Sequence, residues 1–254
     1  GAVGYTGAPY LTALAAVRSG GGLVYLGVPE SIWETETVRC VSAMPFPLAD
    51  RRGRLSPRAL PDLLARLEGC DVLALGPGLG RGESVRQLVW EVLRRTEKPV
   101  VLDADGINAL EGHIDILDSR RGRVTILTPH GGEFARVGTP GDPVNAARAF
   151  AQAHGCVLVL KGHRTVTTGP GGNVLVNTTG NSGLAKGGSG DVLAGMILSL
   201  LGQGLPARQA VPAAVWLHGA AGDRCAAELG EYGMTPGDMV EALPRLLREV
   251  VSAP

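Results

Sequence analysis

Asp191 closes the run Asn181-Ser182-Gly183-Leu184-Ala185-Lys186-Gly187-Gly188-Ser189-Gly190, and the apolar stretch Val192-Leu193-Ala194-Gly195 follows it. Glycines leave main-chain N–H groups free to face an anion, and a helix starting directly after them adds partial positive charge. A carboxylate at the edge of such a phosphate site can accept the proton of an attacking hydroxyl during phosphoryl transfer. Gly187, Gly188, Ser189 and Gly190 are therefore candidate nucleotide contacts, and Asp191 is the candidate base. The competing reading makes Asp191 a helix cap only. A cap needs one residue, not a glycine-rich approach. The run is not a Walker A loop, which carries Gly-Lys-Ser/Thr after its glycines.

Three other segments hold polar groups at strand ends. Leu102-Asp103-Ala104-Asp105-Gly106-Ile107-Asn108 offers two carboxylates and an amide. Two residues apart on an extended strand, Asp103 and Asp105 would share a face, where they can orient a polar substrate or hold a hydrated cation. Turn formation and capping are the alternative use. In Thr128-Pro129-His130-Gly131-Gly132-Glu133, His130 can contact substrate. Glu133 can hold a water of Mg²⁺, an ion bound mostly through waters, phosphates and one or two carboxylates. Lys161-Gly162-His163-Arg164-Thr165, taken alone, reads as a hairpin turn with solvated charges. Gly76-Pro77-Gly78-Leu79-Gly80 fits a dinucleotide fingerprint poorly.

The elements that must carry these segments alternate. Helices are expected over Pro9–Ser19, Ser56–Glu68, Glu83–Arg95, Gly106–Leu110, Asp142–His154 and Asp191–Leu201, with two more starting at Pro206 and Thr235-Pro236. Strands are expected over Leu23–Val28, Asp71–Leu75, Pro99–Asp103, Val124–Leu127, Cys156–Lys161 and Arg164–Thr168, and Val174–Asn177 pairs back as a hairpin. Val38–Pro47 reads as extended or irregular. Such alternation predicts an α/β fold, a mostly parallel sheet with helices on both faces. No linker or internal repeat divides the chain, so a single domain is expected over 1–254. Ligands of such sheets bind outside the carboxyl ends of the strands, where four of the polar loops fall.

Composition removes other classes. Lys+Arg and Asp+Glu balance at 24 each, so no net field recruits nucleic acid or an anionic membrane. The pairs Arg51-Arg52, Arg94-Arg95 and Arg120-Arg121 read as solvated surface. Cys40, Cys70, Cys156 and Cys225 form no Cys-x-x-Cys pair, which argues against a zinc or redox motif and fits a reducing, cytoplasmic setting. Cys70 and Cys156 are expected to be buried thiols. No stretch reads as a membrane span or signal peptide. Because the chain begins at Gly1, beside a glycine-rich turn, an upstream segment is expected.

Six segments in order resemble the ADP/ATP-dependent NAD(P)H-hydrate dehydratase family of the ribokinase-like superfamily. They are Tyr5-Thr6-Gly7-Ala8, Arg18-Ser19-Gly20-Gly21-Gly22-Leu23-Val24, Gly76-Pro77-Gly78-Leu79-Gly80, Leu102-Asp103-Ala104-Asp105, Thr128-Pro129-His130-Gly131-Gly132-Glu133 and Gly187-Gly188-Ser189-Gly190-Asp191-Val192-Leu193-Ala194-Gly195. The resemblance implies a three-layer αβα fold and a metabolite repair enzyme, a hydro-lyase that restores NAD(P)H from its hydrate. It implies that Ala8, Gly80, His130 and Asp191 contact the hydrate, joined by Asp105 and Asn108. Lys161, Gly162, His163, Arg164, Thr165 and Gly190 would contact ADP or ATP, with Mg²⁺ as cofactor. It further implies a homo-oligomer and, in many relatives, an epimerase domain fused upstream. The chain departs from the family pattern at the first strand, which is missing, at Ser189, where Thr is common, and at Lys186, where Thr is frequent. A cation at 186 can favour one nucleotide's phosphate chain. The rival readings are a vitamin or sugar kinase of the same superfamily, and a catalytically silent nucleotide-binding protein.

Overall fold

The computed structural model describes residues 1–252. The chain runs through α1 (Gly7–Arg18), β1 (Tyr25–Pro29), α2 (Glu30–Arg39), β2 (Met44–Leu48), and a small hairpin of β3 (Asp50–Arg51) and β4 (Arg54–Leu55). There follow α3 (Leu60–Glu68), β5 (Leu73–Leu75), α4 (Glu83–Arg95), β6 (Val100–Leu102), α5 (Asp105–Asn108), β7 (Thr125–Leu127), α6 (Gly131–Val137) and α7 (Pro143–His154). The last third comprises β8 (Val157–Leu160), β9 (Val166–Thr168), β10 (Val174–Val176), α8 (Ser189–Gly202), α9 (Ala207–Gly233) and α10 (Pro236–Val251).

Six strands form the central sheet in the order β10-β9-β8-β7-β6-β5. The strands β5 to β8 are parallel, and β9 and β10 are antiparallel additions. Every residue of β6 and β7 is buried, as continuous apolar runs covered on both faces require. Alternation divides their side chains between two cores. Leu102, Leu127 and Leu158 pack with α4 and α7, while Val101, Ile126 and Val159 pack with α8, α9 and α10. This is the expected three-layer αβα arrangement. It delivers the carboxyl ends of β5, β6, β7 and β8 to one edge of the sheet.

A second, two-stranded parallel sheet pairs β1 with β2. Between β1 and β5 lies a largely apolar cleft of about 410 Å³, floored by Thr12 and Leu198 and roofed by Leu63 and Leu67. None of Asp191, His130 or Lys161 lines it. No helix among the described residues is long and apolar enough to cross a membrane.

Several expectations need correction. Residues 30–39 form α2, part of which had been expected to be irregular, and only Ile32 and Glu36 of this helix are buried. A helix with so narrow a buried stripe leaves no apolar period in the sequence. The short α6 was also unanticipated, and α8 starts at Ser189, two residues early. Arg121 is exposed, but Arg120 is 1% exposed. Its guanidinium donates to the carbonyls of Leu93, Thr96 and Lys98 and to Thr125 Oγ1. It thereby satisfies carbonyls left over at the end of α4. Burial lowers this guanidinium to about 10. All four cysteines are free thiols; Cys156 and Cys225 are buried, whereas Cys70 is only half-buried.

Candidate active site

Asp191 lies in the first turn of α8, whose N-cap is Gly188 at φ 103°. No side chain caps this helix, so Asp191 is not a cap. The first i→i−4 bond runs from Val192 N–H to the Gly188 carbonyl at 3.1 Å. The N–H groups of Gly190 and Asp191 precede it and belong to the open helix end. Burial raises the Asp191 carboxyl to about 7; the Asp103 carboxylate adds to this, and Lys161 opposes it. A carboxyl so poised is half-ionised near neutrality and suits proton abstraction.

Asp103 and Lys161 reach the same place from two strand ends. Asp103 is 2% exposed. Its Oδ1 accepts from Lys161 Nζ at 2.7 Å and from Thr128 Oγ1 at 2.7 Å. A Cβ added to Gly190 would lie 2.9 Å from Lys161 Nζ and 3.6 Å from Asp103 Oδ2. Glycine at 190 therefore lets the glycine loop close onto this ion pair. The ends of β6, β7 and β8 and the start of α8 thus converge on Asp191. Lys161 is paired rather than solvated, which corrects the reading of its segment. Gly162, His163 and Arg164 are exposed at the tip beyond it, and Thr165 Oγ1 donates to the Gly162 carbonyl at 3.1 Å.

A second group of loops is built around Gly80. Its N–H donates to Asp105 Oδ2 at 2.8 Å, while Asp105 Oδ1 accepts from Asn108 Nδ2 at 3.1 Å. Asn108 Oδ1 accepts from Arg136 Nη1 at 3.0 Å. Ala8 packs against the same loop, 3.0 Å from where a Gly78 Cβ would stand. Asp103 and Asp105 do not share a face, contrary to expectation. Ala104 between them adopts φ 46°, and α5 begins at Asp105. One aspartate goes to Lys161 and the other to Gly80.

His130 is the N-cap of α6, in a capping box with Glu133. Its Nδ1 accepts from Gly132 N–H at 3.0 Å and Glu133 N–H at 3.3 Å, which puts the proton of the neutral ring on Nε2. The ring itself is 57% exposed toward solvent. Glu133 Oε2 accepts from His130 N–H at 2.9 Å, and Oε1 lies 3.3 Å from His130 Nε2. Oε2 is thus hydrogen-bonded, and the residue is 6% exposed. Glu133 thereby fixes the position of His130. The Ser189 hydroxyl is enclosed without a partner. Only its main chain belongs to the loop's open side.

Some residues of the site gave little signal in the sequence. The sequence does not separate Asp103 from Asp105, since only tertiary pairing with Lys161 distinguishes them. His218 of α9 places Nε2 2.8 Å from the Ser189 carbonyl, and burial lowers its imidazole to about 4. Asp223 accepts from Gly180 N–H at 2.8 Å and Asn181 Nδ2 at 2.9 Å. A lone histidine and an aspartate on a long helix carry no motif. The Lys186 ammonium is bound to carbonyls at the end of α9.

A three-layer αβα sheet, with a glycine loop and an aspartate at a helix start outside its strands' carboxyl ends, defines a ribokinase-like protein. The chain belongs to the NAD(P)H-hydrate dehydratase family, whose model matches residues 1–245. It is 43% identical to the bifunctional NAD(P)H-hydrate repair enzyme of Moorella thermoacetica, over 98% of this chain and 48% of that protein. To the ADP-dependent (S)-NAD(P)H-hydrate dehydratase of Neisseria meningitidis serogroup B it is 38% identical, over 95% of this chain and 81% of the other. The ADP/ATP-dependent NAD(P)H-hydrate dehydratase from Bacillus subtilis, co-crystallised with ATP/Mg²⁺ and soaked with CoA, aligns at TM-score 0.76 and 32% identity, covering 98% and 89% of the two chains. A ribokinase-like superfamily protein from Enterococcus faecalis aligns at TM-score 0.83 and 27% identity, covering 97% and 84%. The chain spans about half the length of the bifunctional relatives it matches, 48% and 47% of the first two.

Proposed function

We propose that this chain dehydrates the hydrates of NADH and NADPH, using ATP or ADP as phosphoryl donor. The observation that carries the reading is the Asp191 carboxyl, held near 7 beside the open N–H groups of α8 and the Asp103–Lys161 pair. Asp191 takes the proton of the ring hydroxyl as that oxygen bonds to the terminal phosphorus, and the bond from phosphorus to the departing nucleotide breaks. Hydroxide is a poor leaving group and phosphate a good one. The ring nitrogen lone pair then expels phosphate with the C–O bonding electrons, and loss of a proton from the adjacent carbon restores the double bond. The loop N–H groups stabilise charge on the transferring group.

Ala8, Gly80, His130, Asp105 and Asn108 form the hydrate side of this reading, with the last two acting through the Gly76–Gly80 loop. Lys161 to Thr165 and Gly187 to Gly190 form the nucleotide side. Among the described residues no three His, Cys, Asp or Glu side chains converge as a metal cage. Mg²⁺ carried mainly by nucleotide phosphates and waters fits the reading; Glu133 and Asp103 are the carboxylates that would hold its waters. When bound, the ion would neutralise charge on the phosphoryl oxygens.

The reading includes one domain over 1–254 whose sheet is completed by a further strand. The cleft between β1 and β5 supports this, having strand edges on two sides and helices above and below. An epimerase partner upstream is supported by the bifunctional relatives. A homo-oligomer is supported by exposed Leu175 and Val176 on the edge strand β10. A cytoplasmic setting is supported by the four free thiols.

The test is recovery of NADH absorbance from purified hydrate, run separately with ATP and with ADP, both with Mg²⁺. Recovery with stoichiometric phosphate release is expected. A stable phosphorylated product would instead identify a small-molecule kinase, and nucleotide binding without turnover would identify a silent binder.

A further inference from the structure

Lys186 stands four residues before Gly190, inside the loop read above as the phosphate site. Its Nζ donates to the main-chain carbonyls of Glu231, Tyr232 and Met234 at 2.9, 2.9 and 2.5 Å. Those three bonds use every donor of the ammonium. Among the described residues no carboxylate pairs with it. The cage exists because the chain leaves helical geometry at Gly230, with φ 74° and ψ 153°, which a residue bearing a Cβ rarely adopts. The carbonyls that follow are thereby released from the helical ladder of α9 and close around the lysine.

Neutral carbonyl oxygens around a single positive charge are what replaces the hydration shell of a large alkali cation. Ammonium and potassium ions share their charge and are close in size. The rest of the loop is also tied to α9: Thr179 Oγ1 donates to the Trp216 carbonyl at 2.9 Å, and Asp223 holds Gly180 and Asn181. Lys186 and His218, whose Nε2 lies 2.8 Å from the Ser189 carbonyl, are the ties nearest the glycines.

We propose that Lys186 is a tethered monovalent cation, occupying a carbonyl cage at the end of α9 and holding the anion loop in its phosphate-binding shape. It makes the protein independent of dissolved potassium. The ligand class of the cage itself, once the lysine is removed, is a large monovalent cation, potassium or ammonium. The link to nucleotide affinity rests on the proposed function; the cage does not.

The experiment compares the unmodified chain with Lys186→Ala and Lys186→Thr. Each is placed in tetramethylammonium, lithium, potassium or ammonium chloride at equal ionic strength. Two quantities are read: melting temperature without nucleotide, and nucleotide KM and kcat in the NADH-recovery assay. The unmodified chain is expected to melt and turn over alike in all four salts. Both variants are expected to lose nucleotide affinity by roughly ten-fold in tetramethylammonium and regain it in potassium or ammonium, with KM moving more than kcat. Their melting temperature should rise in the same two salts. Variants that are unchanged, inactive or unfolded equally in every cation overturn the proposal, as does potassium dependence of the unmodified chain. The melting arm needs no turnover, so failure of the dehydratase reading leaves it decisive.

Discussion

The ammonium of Lys161 lies 2.7 Å from Oδ1 of Asp103, so a cation from the end of β8 meets a carboxylate from the end of β6 against Gly190. This pair sets the charge that Asp191 senses. Asp103 raises the Asp191 carboxyl and Lys161 lowers it. In its proposed role as base Asp191 is active when ionised, so kcat/KM of the unmodified protein is expected to rise with pH through about 7. In Lys161→Met that limb should move up by roughly one pH unit, and in Asp103→Asn it should move down by a similar amount. Profiles of kcat/KM between pH 5 and 9 give the answer. Limbs that stay together in all three proteins would separate the pair from the base.

Asp191→Asn is expected to lower kcat roughly 10³-fold while nucleotide still binds. The same change should stabilise the fold. The carboxyl titrates at about 7 when folded and near 3.8 otherwise. The folded state therefore retains a proton that the unfolded chain has released, and stability falls as pH rises from 3.8 through 7. Thermal melts should show a gain for the variant that is larger at pH 8 than at pH 5. Unchanged turnover would remove Asp191 from the mechanism.

Gly190→Ala places a Cβ 2.9 Å from Lys161 Nζ. The lysine is flexible and can withdraw, but this leaves the buried Asp103 carboxylate without its cation, so the melting temperature should fall. Its withdrawal breaks the Asp103 pair and narrows the loop, so nucleotide KM should rise by roughly ten-fold or more, equivalent to about 1.4 kcal/mol of lost binding. Isothermal titration with ATP and with ADP measures it.

His130 has two roles that substitution can separate. His130→Ala removes both the cap of α6 and the ring, so it should cost about 1 kcal/mol of stability and raise the KM for the hydrate. His130→Ser keeps a capping oxygen. It should melt close to the unmodified protein and still show the raised KM. If it binds hydrate normally, the ring is not a substrate contact.

Arg120→Met leaves the carbonyls of Leu93, Thr96 and Lys98 without their donor in a buried setting. A destabilisation of about 3 kcal/mol or more is expected, with activity per folded molecule unchanged. Urea unfolding followed by fluorescence measures the first, and active-site-normalised turnover the second.

The layers of the fold were legible in the sequence because fully buried strands and amphipathic helices leave strong periods. Val100–Leu102 and the helix Glu83–Arg95 both follow those rules. The candidate base was legible for a local reason, since a glycine approach, a helix start and a carboxylate lie within five residues, 187 to 191. Pairings across the sheet were not. Asp103 and Lys161 are 58 residues apart, and nothing in either segment says which carboxylate the lysine will take. Ala104 at φ 46° decided it by turning Asp105 away. The fate of Lys186, Glu133 and Arg120 was likewise set by which carbonyls, amides or ring atoms the folded chain brought within bonding distance. Residue type and spacing thus determined the layers, the loop and the chemistry on offer. Only the tertiary structure decided which charged groups face the cleft, because a buried donor or acceptor takes whatever partner the packing supplies.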